Sequence, residues 1–188
     1  MNVVPDLQMD QAAFLAWVQG QEGRYELAEC RVMMMTGGSR AHGLVVRALA
    51  KVLENRLDAR RWSVLTSDFA VALGPRTVRY PDVVVDVAGG ALEDLVATGP
   101  ALIAEVVSPS SATYDLGDKA AEYLQLTTLW AYLVLAQDEP KAWAWVRGGS
   151  GFRPGPKVIA GAGAKIELAS LGVELPLAEI YAVLGRQR

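Results

Sequence analysis

Two acids and a lysine near the middle of the chain have the types and spacing that phosphodiester chemistry uses. Asp82 follows Pro81 and opens an apolar run, Val83-Val84-Val85. Glu105 lies inside a second apolar run, Leu102 to Val107, which ends at Ser108-Pro109-Ser110. Lys119 closes the segment Asp115-Leu116-Gly117-Asp118-Lys119. Hydrolysing a phosphodiester near neutral pH requires charge neutralisation and an activated water. Mg²⁺ or Mn²⁺ supplies both when a few oxygen ligands hold it and leave coordination positions open. Asp82 and Glu105 could supply two such oxygens, and the carbonyl of Val106 a third. A lysine within reach would orient the water or stabilise the charge building on phosphate. Asp115, four residues before Lys119, and Tyr123, four after it, share its helix face.

Each residue also has a plainer explanation. Asp82 after a proline can simply satisfy a turn. Lys119 alone would be a solvated helix lysine, and Asp115 alone an N-cap. Glu105 is harder to set aside. An ionised Glu among Leu102, Ile103, Val106 and Val107 is costly unless it is paired, metal-bound or on an exposed edge. The weight rests on the joint occurrence. Two further residues are candidates for the same site. Glu26, in Tyr25-Glu26-Leu27, is a third acid between apolar neighbours that could complete the site or be an ordinary edge-strand residue. His42, the one histidine, follows the break Thr36-Gly37-Gly38-Ser39 and could contact a phosphate or a water, or be a surface histidine. Arg40, Arg47, Lys51, Arg56, Arg60 and Arg61 could form a phosphate-tracking surface or a solvated helix face.

The elements that must position these residues follow from periodicity. Residues 10 to 19 read as a short helix capped by Asp10, with Phe14, Trp17 and Val18 on one face. Tyr25 to Leu27 and Arg31 to Met35 read as a hairpin around Glu29-Cys30, although that turn lacks Gly or Asn. Ser39 can cap a long helix over 41–58, whose Leu44, Val45, Ala48, Leu49, Val52 and Leu53 repeat at helical spacing. Strands are expected over 62–66, 69–73, 78–87 and 102–107. The last two are Val- and Ile-rich, as in strands buried on both faces. A helix over 115–126, strands over 130–136 and 141–146, a glycine-rich loop over 148–163, a strand over 165–168 and a helix over 176–184 complete the chain. The expected class is α/β (α+β), a mixed β-sheet flanked by helices, in one domain over 1–188.

Composition narrows the function classes. Of 188 residues, 52% are hydrophobic, enough for a full core. No apolar run approaches the ~20 residues of a membrane span, and no secretory signal is visible. One cysteine, Cys30, excludes an internal disulfide and fits a cytoplasmic protein. One His and one Cys argue against a dedicated zinc site. A net charge of −3 means that nucleic-acid binding must rest on a local patch or a dimer groove.

Together, Tyr25-Glu26-Leu27, His42 opening a long helix, Pro81-Asp82-Val83, Glu105-Val106-Val107-Ser108-Pro109-Ser110 and Asp115-x-x-x-Lys119 with Tyr123 resemble the Uma-two-type endonucleases. These are a branch of the PD-(D/E)XK, restriction-endonuclease-like superfamily. The resemblance runs from about residue 10 to the end and includes the tail Leu171 to Tyr181. It implies a restriction-endonuclease-like core and a divalent-metal site, with Asp82 as the Pro-Asp acid and Glu105 as the second acid. The superfamily lysine usually stands two residues after that acid, where this chain has Val107. In this branch the lysine is displaced onto the following helix, which maps to Lys119. Glu26 and His42 correspond to the family's early acid and helix-start histidine. Relatives often carry a Gly and an acid in the hairpin, where this chain has Cys30 and Arg31. The expectation is a Mg²⁺- or Mn²⁺-dependent nuclease on DNA, working as a homodimer. The rivals are a non-catalytic protein of the same fold that binds nucleic acid or protein, and a hydrolase of another phosphate substrate.

Overall fold

The structure, a computed structural model, describes residues 2–109 and 112–185. The chain opens with β1 (Asn2–Gln8) and α1 (Gln11–Val18), where the Asp10 carboxylate accepts the Ala13 amide at 2.9 Å. β2 (Tyr25–Ala28) and β3 (Arg31–Met34) form the expected hairpin. Its turn residues, Glu29 and Cys30, both have positive φ, 48° and 66°. Such a turn favours Asn-Gly, and tertiary contacts hold it here. The Cys30 amide donates to the Arg76 carbonyl at 2.8 Å, and the Glu29 amide to Thr77 Oγ1 at 3.3 Å.

α2 (Arg40–Glu54) follows, and Ser39 Oγ caps it by accepting the His42 amide at 3.1 Å. Val45, Leu49, Val52 and Leu53 bury one face of α2, as their spacing predicts. Next come β4 (Trp62–Thr66), β5 (Val71–Ala72), β6 (Val78–Arg79), β7 (Val83–Val87) and β8 (Leu102–Val107). Two short helices follow, α3 (Ala112–Leu116) and α4 (Asp118–Tyr123). β9 (Ala131–Ala136), β10 (Lys141–Val146), β11 (Lys157–Ala160), β12 (Lys165–Leu168), β13 (Val173–Pro176) and α5 (Leu177–Gly185) complete the order.

Six strands make the main sheet, in the order β11-β10-β9-β8-β7-β4. Within this sheet, among the described residues, only β8 and β9 pair in parallel, joined through α3 and α4, so the sheet is mixed. A second sheet runs β1-β3-β2-β6-β5. β8 is buried along its whole length. Its Leu102, Ala104 and Val106 pack with Val83, Val85 and residues of α2 and α5. Its Ile103 and Val107 face the other way, with Val84, Ala120, Tyr123 and Tyr132. At about 1.5–3 kcal/mol for each fully buried large aliphatic side chain, these two apolar layers fix the sheet between its helices.

Several local expectations are revised. The strand expected over 78–87 divides at Tyr80-Pro81-Asp82, and its halves join different sheets. Pro81 has no amide for a central ladder, so the chain crosses between sheets there. The strand expected over 69–73 shortens to β5. The helix expected over 115–126 breaks at Gly117, where φ is −107° and ψ −90°. The glycine-rich loop contains β11, an edge strand with two exposed residues at its start. β1 was not anticipated. It is held by pairing with β3 across the long interval from Asn2 to Met34, which no local pattern shows.

Candidate active site

β7 and β8 run antiparallel with Val83 opposite Ala104. Carrying that register one residue further sets Asp82 opposite Glu105, on one face of the sheet. The hydrogen bonds agree. Asp82 Oδ2 accepts the amide of Val106, the residue after Glu105, at 2.8 Å. The N–H and C=O of a strand residue point to the same side, so the Val106 carbonyl lies on the Asp82 side of β8. The same Asp82 oxygen is 3.0 Å from His42 Nε2. A carboxylate only accepts, so Nε2 carries the proton. This bond is the main reason the His42 pKa is raised above its ordinary value, against the opposing effect of burial. A Cβ at position 38 would lie 2.7 Å from His42 Nδ1, so Gly38 leaves the space that the imidazole occupies.

The deeper part of the site is centred on Lys119. Its ammonium donates to Glu105 Oε1 at 2.9 Å and lies 3.5 Å from Asp115 Oδ1 and 3.6 Å from Glu26 Oε1. Tyr123, one turn further along α4, donates its hydroxyl to Glu105 Oε1 at 3.2 Å. Asp115, Lys119 and Tyr123 thus share a face despite the break at Gly117. Burial raises the Glu105 pKa above its ordinary value, and the nearby Lys119 ammonium acts in the opposite sense. Lys119 itself is raised above its ordinary range, because the three surrounding carboxylates outweigh its burial.

All five residues singled out as candidates therefore meet at one end of β8. Lys119 reaches Glu105, although Val107 stands at the usual lysine position. Ser110 of the Ser-Pro-Ser motif lies outside the described residues. Glu26 is fully buried and already has close partners: its Oε1 accepts the Tyr80 amide at 3.1 Å, and its Oε2 accepts from Arg79 Nη1 at 3.1 Å. Arg79 was not anticipated. Its Nε and Nη2 donate to Glu122 Oε2 and Oε1 at 2.8 and 2.7 Å. The available signal was the one that exposed Glu105, a charged residue between apolar neighbours in a strand. Of the six basic residues on and after α2, Arg56 binds Glu179, Arg60 binds Asp58 and Arg61 stacks on Trp62. Those three are engaged locally.

The donor set suits a hard cation of the Mg²⁺ type more than zinc. Among the described residues no three His, Cys, Asp or Glu side chains are grouped to hold a metal. Mg²⁺ is commonly held by one or two carboxylates, with waters and substrate phosphates completing the shell. Asp82, Glu105 and the Val106 carbonyl fit that pattern. Among the described residues, no helix is long and apolar enough to cross a membrane.

The model of the family described as "Uma2: Putative restriction endonuclease" matches residues 11–178. Two proteins of Synechocystis sp., "Uncharacterized protein slr1290" and "Uncharacterized protein sll1609", are 29% and 28% identical over 126 and 116 residues. These matches cover 65% and 60% of this chain, and they span 66% of the length of each relative. A solved structure from Anabaena variabilis, titled a putative nuclease belonging to DUF820, superposes with a TM-score of 0.72 at 13% identity. The superposition covers 87% of this chain and 93% of that one, and it shows that the two share a fold. With the family match extending over most of its length, the chain belongs to the Uma2 family of putative restriction endonucleases.

Proposed function

We propose that the chain is a divalent-metal-dependent endonuclease that hydrolyses phosphodiester bonds in DNA. The observation that carries this reading is the meeting of Asp82 and Glu105 at one end of the sheet, with the Lys119 ammonium 2.9 Å from Glu105. In this reading Asp82, Glu105 and the Val106 carbonyl hold Mg²⁺ or Mn²⁺. The cation would neutralise phosphate charge and acidify the attacking water. Lys119 holds the Glu105 carboxylate in position and supplies positive charge toward the phosphate. Tyr123 fixes the same Glu105 oxygen. His42 holds the Asp82 carboxylate and, being protonated readily, meets the incoming phosphate with a positive charge. Glu26 keeps Lys119 charged.

Cutting both strands of a duplex with one site per chain calls for two copies, so the reading includes a homodimer. The single cysteine, unbridged in this fold, is consistent with a cytoplasmic enzyme. Val107, in place of the usual lysine, favours a second reading, a non-catalytic member of the fold that binds nucleic acid or protein.

One experiment separates the two. Plasmid and single-stranded DNA are incubated with the protein and Mg²⁺, Mn²⁺ or EDTA, beside Asp82→Ala. Cleavage that needs the metal and Asp82 is the expected result. Cleavage that survives EDTA or the substitution overturns the site. DNA binding without cleavage under every condition favours the second reading.

A further inference from the structure

We infer that Arg79 is a positioning residue, which ties the Asp82 segment to the helix carrying Lys119 and so sets the distance between the two halves of the site. The inference rests on the proposed nuclease site, and one arm of its test is independent of cleavage.

The geometry is that of a clamp. Arg79 ends β6, two residues before Pro81 and three before Asp82. Its guanidinium is fully buried and grips Glu122 with two parallel bonds, Nε to Oε2 at 2.8 Å and Nη2 to Oε1 at 2.7 Å. Glu122 sits on α4, three residues after Lys119. The remaining arm of the fork, Nη1, donates to Glu26 Oε2 at 3.1 Å. Glu26 in turn accepts the Tyr80 amide and stands 3.6 Å from Lys119. One guanidinium therefore joins three elements: β2 through Glu26, α4 through Glu122, and the crossing from β6 to β7 on which Asp82 stands. The Tyr114 ring lies against it, 5.7 Å from Cζ to the ring centroid.

Two consequences follow for the site. The segment Arg79-Tyr80 is anchored at both the side chain and the next backbone amide, so Pro81-Asp82 leaves a fixed point. Arg79 also gives Glu26 a cation of its own. Without it, Lys119 would be the one cation close to Glu26, and the lysine would be drawn from Glu105 toward that acid. A planar fork can serve both glutamates at once, and a lysine cannot.

The test uses Arg79→Lys, which keeps the charge and loses the fork. It also uses the double variant Arg79→Met/Glu122→Met, which removes the pair together and leaves no unpaired Glu122 if the single variant fails to fold. The first readout is amide exchange along β8. The Val106 amide is bonded to the Asp82 carboxylate, so its exchange reports where that carboxylate is. Exchange at Val106 is expected to rise about tenfold, the equivalent of one lost hydrogen bond, while Leu102 to Ala104 keep their protection. A merely structural role would raise all β8 amides together. That outcome, or an unchanged Val106, overturns the inference.

The second readout is DNA cleavage with Mn²⁺, with Lys165→Ala as a surface control. A fall in kcat of about 100-fold with unchanged KM is expected from a misplaced site. Wild-type kcat in a folded variant overturns the inference. If the wild-type protein cuts no DNA, the nuclease reading fails, and the Val106 exchange still decides whether Arg79 positions Asp82.

Discussion

Asp82 and His42, at the rim of the site, are 16% and 24% exposed in their side chains, whereas Glu26, Glu105 and Lys119 are 0%, 6% and 5% exposed. The two groups hold their charges differently. At the rim one carboxylate oxygen leans on a backbone amide and an imidazole, partners that the proposed nuclease would exchange for a cation or a phosphate. In the interior each charge meets opposite charges within about hydrogen-bond reach, and the low dielectric makes those contacts strong and their loss expensive. The difference teaches a division of labour. The interior holds a fixed field, and the rim is the part free to change partners.

The strongest way to break this comparison is Lys119→Met. It leaves Glu105, Asp115 and Glu26 without their shared cation. Removing one partner of a buried ionic group costs about 3–5 kcal/mol, which urea denaturation would read as a clear loss of stability. A change below about 1 kcal/mol would mean that the interior is not a charge-matched network, and the contrast with the rim would collapse. Asp82→Ala attacks the other side. It should leave the fold largely intact, losing the bonds from the Val106 amide and from His42 Nε2 at about 1 kcal/mol each. Cleavage should fall by about 100- to 1,000-fold, the range seen when a group acting at the reacting centre is removed. A large stability loss in Asp82→Ala would place that residue with the interior.

A smaller effect tests how finely the interior is set. Tyr123→Phe removes the hydroxyl that donates to Glu105 Oε1 while Lys119 still occupies that oxygen. The expected cost is about 0.5–1.5 kcal/mol, because the acceptor keeps one donor and no buried group is orphaned. Thermal unfolding beside wild type measures it. A loss comparable to Lys119→Met would mean that the hydroxyl, more than the ammonium, holds Glu105.

The two regions also differ in how far the sequence reveals them. Glu105 is legible because an acid inside Leu102 to Val107 contradicts its surroundings. Asp115, Lys119 and Tyr123 are legible because helical spacing is local, and their shared face survives a break at Gly117 that was not foreseen. The alternation of β7 and β8 makes a shared end for Asp82 and Glu105 a reasonable expectation. Arg79 stayed hidden because its partners Glu26 and Glu122 are 53 and 43 residues away, and separation in sequence carries no periodic signal. The same cause hid β1, which exists through its pairing with β3. Pro81, like the charge of Arg79 between Val78 and Tyr80, was a signal in plain view. It marks the crossing between sheets, which a continuous strand over 78–87 overlooked.

The smallest effect sharpens the rim itself. His42 has its pKa raised chiefly by the bond to Asp82. A histidine whose folded pKa exceeds its unfolded value near 6.5 adds stability that is fully present below that value. The contribution is lost as pH rises through the higher folded pKa. Wild type should therefore exceed His42→Gln in stability at pH 5–6 by under about 1 kcal/mol, a typical ceiling for a partly exposed ion pair. The gap should close toward pH 9. Paired melting curves across that range read the difference directly, and changes common to both proteins cancel. A gap that is independent of pH would mean that the neutral imidazole does the holding. A gap that widens with pH would reverse the sign and remove the imidazolium–carboxylate pair from the rim. Added Mn²⁺ carries the comparison one step further. If a cation takes up Asp82 at the rim, it should release His42 from that carboxylate and erase the low-pH advantage of wild type, while the contribution of Lys119 in the interior remains.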